Sequence, residues 1–244
     1  MVVRLNEYQQ PIGNALPDWQ GAQPPGGQPL VGRYCRLERV DAERHAADLY
    51  DAYKDAHDLR DWTYLFDGPF DTFEAYRIYL TAASTLADPM HYAVVDQVSG
   101  KAVGTLALMR IDVPNGVIEV GYVTYSQRMK RTRLSTEAMS LLLKYVFEDL
   151  GYRRFEWKCD SLNAPSRAAA LRYGFTFEGI FRQAIVTHQR NRDTAWHSII
   201  DGEYPALRAA YAQWLDEHNF DEEGRQIEKL KELIMKEDSS RRRG

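Results

Sequence analysis

From residue 90 the chain alternates apolar and polar positions in three successive runs, HYAVVDQ, AVGTLALMRID and VIEVGYVTY, separated by the turn signals VSGK and PNG. That pattern predicts three hairpin-linked strands over about residues 91–97, 101–112 and 116–125. On both sides the apolar spacing becomes helical. Upstream, GRYCRLERV (32–40) predicts a first strand, and Asp41 stands as N-cap to a helix in which Ala46, Leu49, Tyr50 and Tyr53 form one buried stripe. Thr72 caps a second helix, TFEAYRIYLTAAS, after the aromatic loop WTYLFDGPF (62–70), which is broken by Gly68 and Pro69. Downstream, Leu134, Ala138, Leu141, Leu142, Tyr145 and Val146 share one side of a third helix that Gly151 ends. FEWKCDS predicts the next strand, and a fourth helix opens at Asn163 with Pro165 in its first turn. A long hairpin follows, FTFEGIFRQAIVTHQ and DTAWHSIID around the polar turn RNRD, and then two helical patterns, EYPALRAAYAQWLDEH and DEEGRQIEKLKELIMKE. The last carries only a thin Ile/Leu seam, which predicts a solvent-exposed or partner-contacting helix.

This order of elements predicts an α+β fold: one mixed, mostly antiparallel sheet with helices on both faces, in a single domain. Residues 1–30, rich in Pro and Gly, read as an extended arm lying on the body; 31–205 read as the folded domain and 206–244 as a helical tail.

Composition narrows the function classes. At 244 residues, 44% hydrophobic and 27% charged, the chain is ordinary for a globular protein, and a formal net charge of −4 gives no overall field for nucleic acid or an anionic membrane. The two cysteines, Cys35 and Cys159, suit neither a disulfide framework nor a zinc site. The N-terminus lacks the long apolar run of a signal peptide, and no stretch approaches the roughly 18 apolar residues that span a bilayer, so a cytoplasmic location is expected.

Candidate chemistry gathers in residues 130–166. Lys130, Arg131 and Arg133 precede the third helix, where unpaired amides and the positive end of the helix dipole can hold a phosphate; a solvated basic turn is the plain alternative. A nucleic-acid site at KRTR is the weakest reading, because the basic cluster is short in an acidic chain.

The motifs EVGY (119–122), TEA (136–138), LGYRRFEWKCDSLNAPS (150–166), YGFTFEGIFR (173–182) and RNRDTAW (190–196), in that order, resemble the GNAT superfamily of acetyl-CoA-dependent N-acyltransferases over about residues 30–205, and within it the RimJ/RimL-like branch. The resemblance implies acetyl-CoA as co-substrate, no metal, and an amine acceptor, either a protein N-terminus or a small molecule. It implies neither a nucleic-acid nor a membrane partner, and a homodimer stays open. It places pyrophosphate on Lys130, Arg131, Thr132, Arg133, Leu134, Ser135 and Thr136, and the thioester carbonyl against backbone N–H groups around Val123 and Tyr125, where the fourth strand parts from the fifth. The family's loop usually carries glycine where Arg133 and Ser135 align. The family's frequent thiolate-protonating tyrosine falls at Ala170, so Ser166 is the expected donor, with Asn163 positioning the cofactor; as plain capping residues the two would have no such role. Glu119 is the expected base if its side of the sheet is covered, and an ordinary strand glutamate if not. Asp193 is second choice, with a simple pairing to Arg190 or Arg192 as its plain alternative. Trp62, Tyr64, Phe66 and Phe70 would line the acceptor mouth or pack as core. A CoA-binding module without chemistry is the competing reading.

Overall fold

The computed structural model describes residues 4–241. A short ribbon of β1 (Arg4–Leu5) and β2 (Pro11–Ile12) opens the arm, which then runs along the body: the Trp19 indole donates to the Pro114 carbonyl (2.8 Å), and the amides of Ala22 and Gln23 bond Val113 and Leu150. There follow β3 (Leu30–Val31), β4 (Cys35–Arg39), α1 (Ala42–Lys54), α2 (Phe73–Thr85), β5 (Met90–Asp96), β6 (Ala102–Asp112), β7 (Val117–Tyr125), α3 (Arg133–Lys144), β8 (Arg154–Asp160), α4 (Ala164–Arg172), β9 (Thr176–Thr187), β10 (Arg190–Ile200), α5 (Tyr204–Leu215) and α6 (Leu230–Arg241).

Eight strands form one sheet in the order β3-β4-β5-β6-β7-β8-β10-β9. Every neighbouring pair is antiparallel except β7 and β8, which run parallel because the α3 crossover joins them. Alternation splits the buried residues between two faces. Tyr92, Val94, Leu106, Ile118, Val120, Phe155 and Trp157 pack with α3 and α5, while Ala93, Val95 and Ala102 pack with Ala46, Leu49, Tyr76 and Leu80 of α1 and α2. The expected α+β fold with helices on both faces is what forms.

Three local readings change. The turn of the long hairpin is His188–Gln189, both left-handed (φ 48° and 57°), so RNRD lies inside β10 and Asp193 is a strand residue rather than a turn residue. The final helix begins at Leu230, not at Asp221, because the Asp221 carboxylate takes up the Arg225 amide and guanidinium in a turn with Gly224 at φ 76°. Its seam is core: Leu230 and Leu233 are buried in the main cluster beside Trp214.

One buried carboxylate fixes the sheet to the helix that carries the phosphate-site candidate. Glu137 of the TEA motif accepts the consecutive amides of Arg33, Tyr34 and Cys35 at 2.7, 2.7 and 2.6 Å. Gly32 is required beside it, since a Cβ there would lie 2.5 Å from the carboxylate.

Candidate active site

The two central strands separate partway along. β7 pairs with β8 from Val117↔Arg154 to Val120↔Trp157 and no farther, although both strands continue. The cause lies in β7. Its register with β6 moves from Ala107↔Gly121 to Thr105↔Thr124, so β7 carries an extra residue there, and Tyr122 sits at φ 48°. A bulge of this kind bends the strand and ends pairing on its far side, leaving the stretch 121–125, with Val123 and Tyr125, unbonded by β8. The Tyr53 hydroxyl steadies the bulge, donating to the Thr124 carbonyl at 3.1 Å.

The N-terminus of α3 lies just beyond that strand. Its N-cap, Thr132, makes no side-chain cap to the helix, so the first-turn amides keep their hydrogen-bonding capacity. The left-handed residue of the loop is Arg131 (φ 61°), whereas Arg133 and Ser135 are helical and need no glycine for their backbone conformation. The side chains expected at the phosphates divide. Arg131 is exposed. Lys130 pairs with Asp61 at 2.5 Å, and Arg133 stacks on the Phe220 ring at 3.7 Å. Ser135 donates to the Thr132 carbonyl, and Thr136 is interior, accepting from Arg172. What this loop offers an anion is therefore mainly backbone N–H, plus Arg131.

On the β8 side, Asn163 is the N-cap of α4 and its Oδ1 accepts the Ser166 amide at 3.1 Å. The half-buried Ser166 accepts the Trp157 indole N–H at 3.0 Å, which leaves its own proton to donate. Cys159 is buried, and burial pushes its thiol pKa up against the opposing effect of Ser166. Ala170 is fully buried in the core, and Tyr173, three residues on, spends its hydroxyl on the Ser135 carbonyl.

Glu119 faces the α1/α2 side, buried at 4% exposure. There it meets Arg110 (2.9 Å) and Lys158 (3.0 Å). Burial raises its pKa, opposed by those two cations. Arg110 reaches it because β6 bulges there, at φ 49°, with Asp88 accepting the amides of Arg110 and Ile111. Asp193 is held elsewhere: its Oδ1 accepts the Gln183 amide (2.8 Å) and the Asn191 side chain at an irregularity between β9 and β10, and it pairs with neither Arg190 nor Arg192.

The aromatic loop crosses this same face. Trp62 packs edge-on against Phe70 and Tyr53, and Phe70, tilted against Tyr79, joins the cluster under α1 and α2. Tyr64 donates to the Leu162 carbonyl, and the carbonyls of Thr63 and Leu65 bond Arg190 and His188, which ties the loop to the β9–β10 turn. Phe66 is the ring that reaches the bulge, 6.0 Å from Tyr122, whose other neighbour is His91 at 4.9 Å. Of the residues around the bulge, Tyr122 lies in the EVGY motif and Tyr53 in the α1 stripe, but neither was singled out for the site, and His91 belonged to no motif. Alternation alone could have flagged His91, which lies in register with Ala107 and so on the Glu119 side.

Comparison with known proteins agrees with this geometry. The acetyltransferase (GNAT) domain family matches residues 35–176. A crystal structure of a GCN5-related N-acetyltransferase from Brucella melitensis is 45% identical, with TM-score 0.88, covering 90% of this chain and all of that one. Among curated relatives, the uncharacterized N-acetyltransferase p20 of Bacillus licheniformis is 26% identical over 46% of this chain. YdaF of Bacillus subtilis, provisionally named a ribosomal N-acetyltransferase, is 28% identical over 43% of it. The matches span 63% and 57% of those relatives' lengths. The chain belongs to the acetyltransferase (GNAT) domain family.

Proposed function

We propose that the protein transfers an acetyl group from acetyl-CoA to a primary amine, on a protein N-terminus or a small molecule, directly within a ternary complex. The observation that carries this reading is the parting of β7 from β8 after Val120 and Trp157, beside the uncapped start of α3. The amides of 131–136 and the Arg131 side chain hold the pyrophosphate, and the open edge of β7 around Val123 and Tyr125 takes the pantetheine and polarises the thioester carbonyl. Asn163 positions the cofactor at the start of α4. Ser166, its proton left free by the Trp157 bond, protonates the departing thiolate. Glu119 takes the amine proton through water; a carboxyl whose pKa burial has raised is better matched to that task than an ordinary one. Trp62, Tyr64 and Phe70 shape the acceptor mouth from behind, by holding Phe66 over the bulge. Asp193 fixes the hairpin that the mouth leans on.

Calorimetric titration with acetyl-CoA, followed by an assay of free thiol release against a panel of amines and peptides, tests the reading. Saturable binding with amine-dependent thiol release is expected. Binding without turnover on any acceptor would favour a CoA-binding module that has lost its chemistry.

A further inference from the structure

Charged groups on the Glu119 face form a row of alternating sign. Arg110 pairs with Glu119, Glu119 with Lys158, Lys158 with Glu156 (2.6 Å), Glu156 with Arg154 (2.7 Å) and Arg154 with Glu178 (2.5 Å), three cations for three carboxylates. Arg192 stands beside this row and outside it. It lies on β10, on the side shared by Thr194 and by Trp196, whose ring Lys158 covers at 3.8 Å. Arg192 is 6% exposed, yet among the described residues its guanidinium has neither an ion pair nor a hydrogen bond, and its Nε is sealed from solvent without a partner. The next side chain along that side, Thr194 Oγ1, is also buried and unpartnered.

An unpaired buried guanidinium costs several kcal/mol, and buried polar groups are as a rule satisfied, so Arg192 Nε and Thr194 Oγ1 present two unmet donors on the same side of β10. The nearby carboxylates do not meet them. Asp160 favours the charged guanidinium from a distance but uses its Oδ1 on the Leu162 amide (2.9 Å), and Glu119 already has two cations. Above Arg192 sits the Phe66 ring, 5.1 Å from the guanidinium carbon, and Phe66 in turn touches Tyr122 of the bulge. Arg192 therefore lies beneath the aromatic loop on the face where an amine would approach.

We propose that Arg192 is a specificity residue for the acceptor: the amine carries a carboxylate, which the Arg192 guanidinium grips with Thr194 Oγ1 as a second donor. A planar guanidinium suits a carboxylate because its N–H groups match both oxygens. The assignment of the acceptor as an amine rests on the acetyl-transfer reading; the carboxylate site does not.

The test uses the full chain loaded with CoA and calorimetry on matched pairs. One arm compares tripeptide amides beginning with Asp or Asn, and the other compares alanine with alaninamide, which separates a chain terminus from a small molecule as the source of the carboxylate. In one arm at least, the acidic member is expected to bind wild type tenfold or more tighter than its neutral partner. Arg192→Gln loses that preference and Arg192→Lys keeps part of it. Equal binding of both members in both arms, no binding of either acidic probe, or a preference that survives Arg192→Gln overturns the proposal. The wild-type comparison decides even if Arg192→Gln folds poorly. Thiol release with acetyl-CoA is recorded on the same pairs. Preference in binding without release keeps the carboxylate site and removes the acetyltransferase reading; release without preference does the reverse.

Discussion

Protonation of His91 should loosen the floor of the acceptor side. The ring is 3% exposed, packed 4.9 Å from Tyr122 at the bulge that opens the sheet. Burial, helped by the Arg39 charge, pushes its pKa down from the ordinary 6.5 to about 4. The unfolded chain therefore binds the proton more tightly than the folded one. Its contribution is fully present above pH 6.5 and is lost as pH falls through 6.5 towards 4, because in that window the unfolded state holds more protons. At about 1.4 kcal/mol per pH unit of difference, the loss reaches about 3 kcal/mol near pH 4. Other buried groups also respond to acid, so the measurement is a comparison. His91→Phe keeps a ring against Tyr122 and cannot take a proton. Urea denaturation at half-unit steps from pH 8 to pH 4 should show the wild type losing about 3 kcal/mol more than the variant. Parallel curves for the two proteins would refute a buried, neutral His91.

Three further outcomes follow from the same geometry. Ser166→Ala should lower turnover far more than acetyl-CoA affinity, with a cost of about 1 kcal/mol from the lost acceptor of the Trp157 indole; unchanged turnover would remove Ser166 from the mechanism. Glu119→Gln should cost about 2 kcal/mol in urea denaturation, since Lys158 keeps Glu156 and Arg110 is half exposed. Its turnover at pH 7 should drop on the order of 100-fold and recover as alkaline pH deprotonates the amine; an unshifted pH profile would reduce Glu119 to a structural role. Glu137→Ala strands three amides beneath α3 and should cost about 3 kcal/mol or more, read as a fall in Tm, whereas a shift of under a degree would contradict that anchoring.

The sequence showed the frame clearly where a period was strong. The meander 90–125, the caps Asp41, Thr72 and Asn163, and the α3 crossover all carry local signals, and each formed within a few residues of its expected place. What it hid were features made by tertiary contacts. Tyr122, Arg110, His188 and Gln189 adopt left-handed backbone without being glycine or asparagine, so neither the bulges nor the hairpin turn had a residue to announce them. The partners of Glu119 depend on one of those bulges. Glu137 was visible only as part of a motif, because its three amides lie about a hundred residues earlier in the chain. The seam of α6 looked too thin to be buried until α5 supplied the other wall.

The most direct measurement is a crystal structure of the chain with CoA bound. Pyrophosphate is expected on the amides of 131–136, pantetheine in the opening between the 121–125 stretch of β7 and the end of β8, and the thiol within hydrogen-bond reach of Ser166 Oγ. CoA bound away from that opening, or a thiol pointing away from Ser166, would contradict that placement.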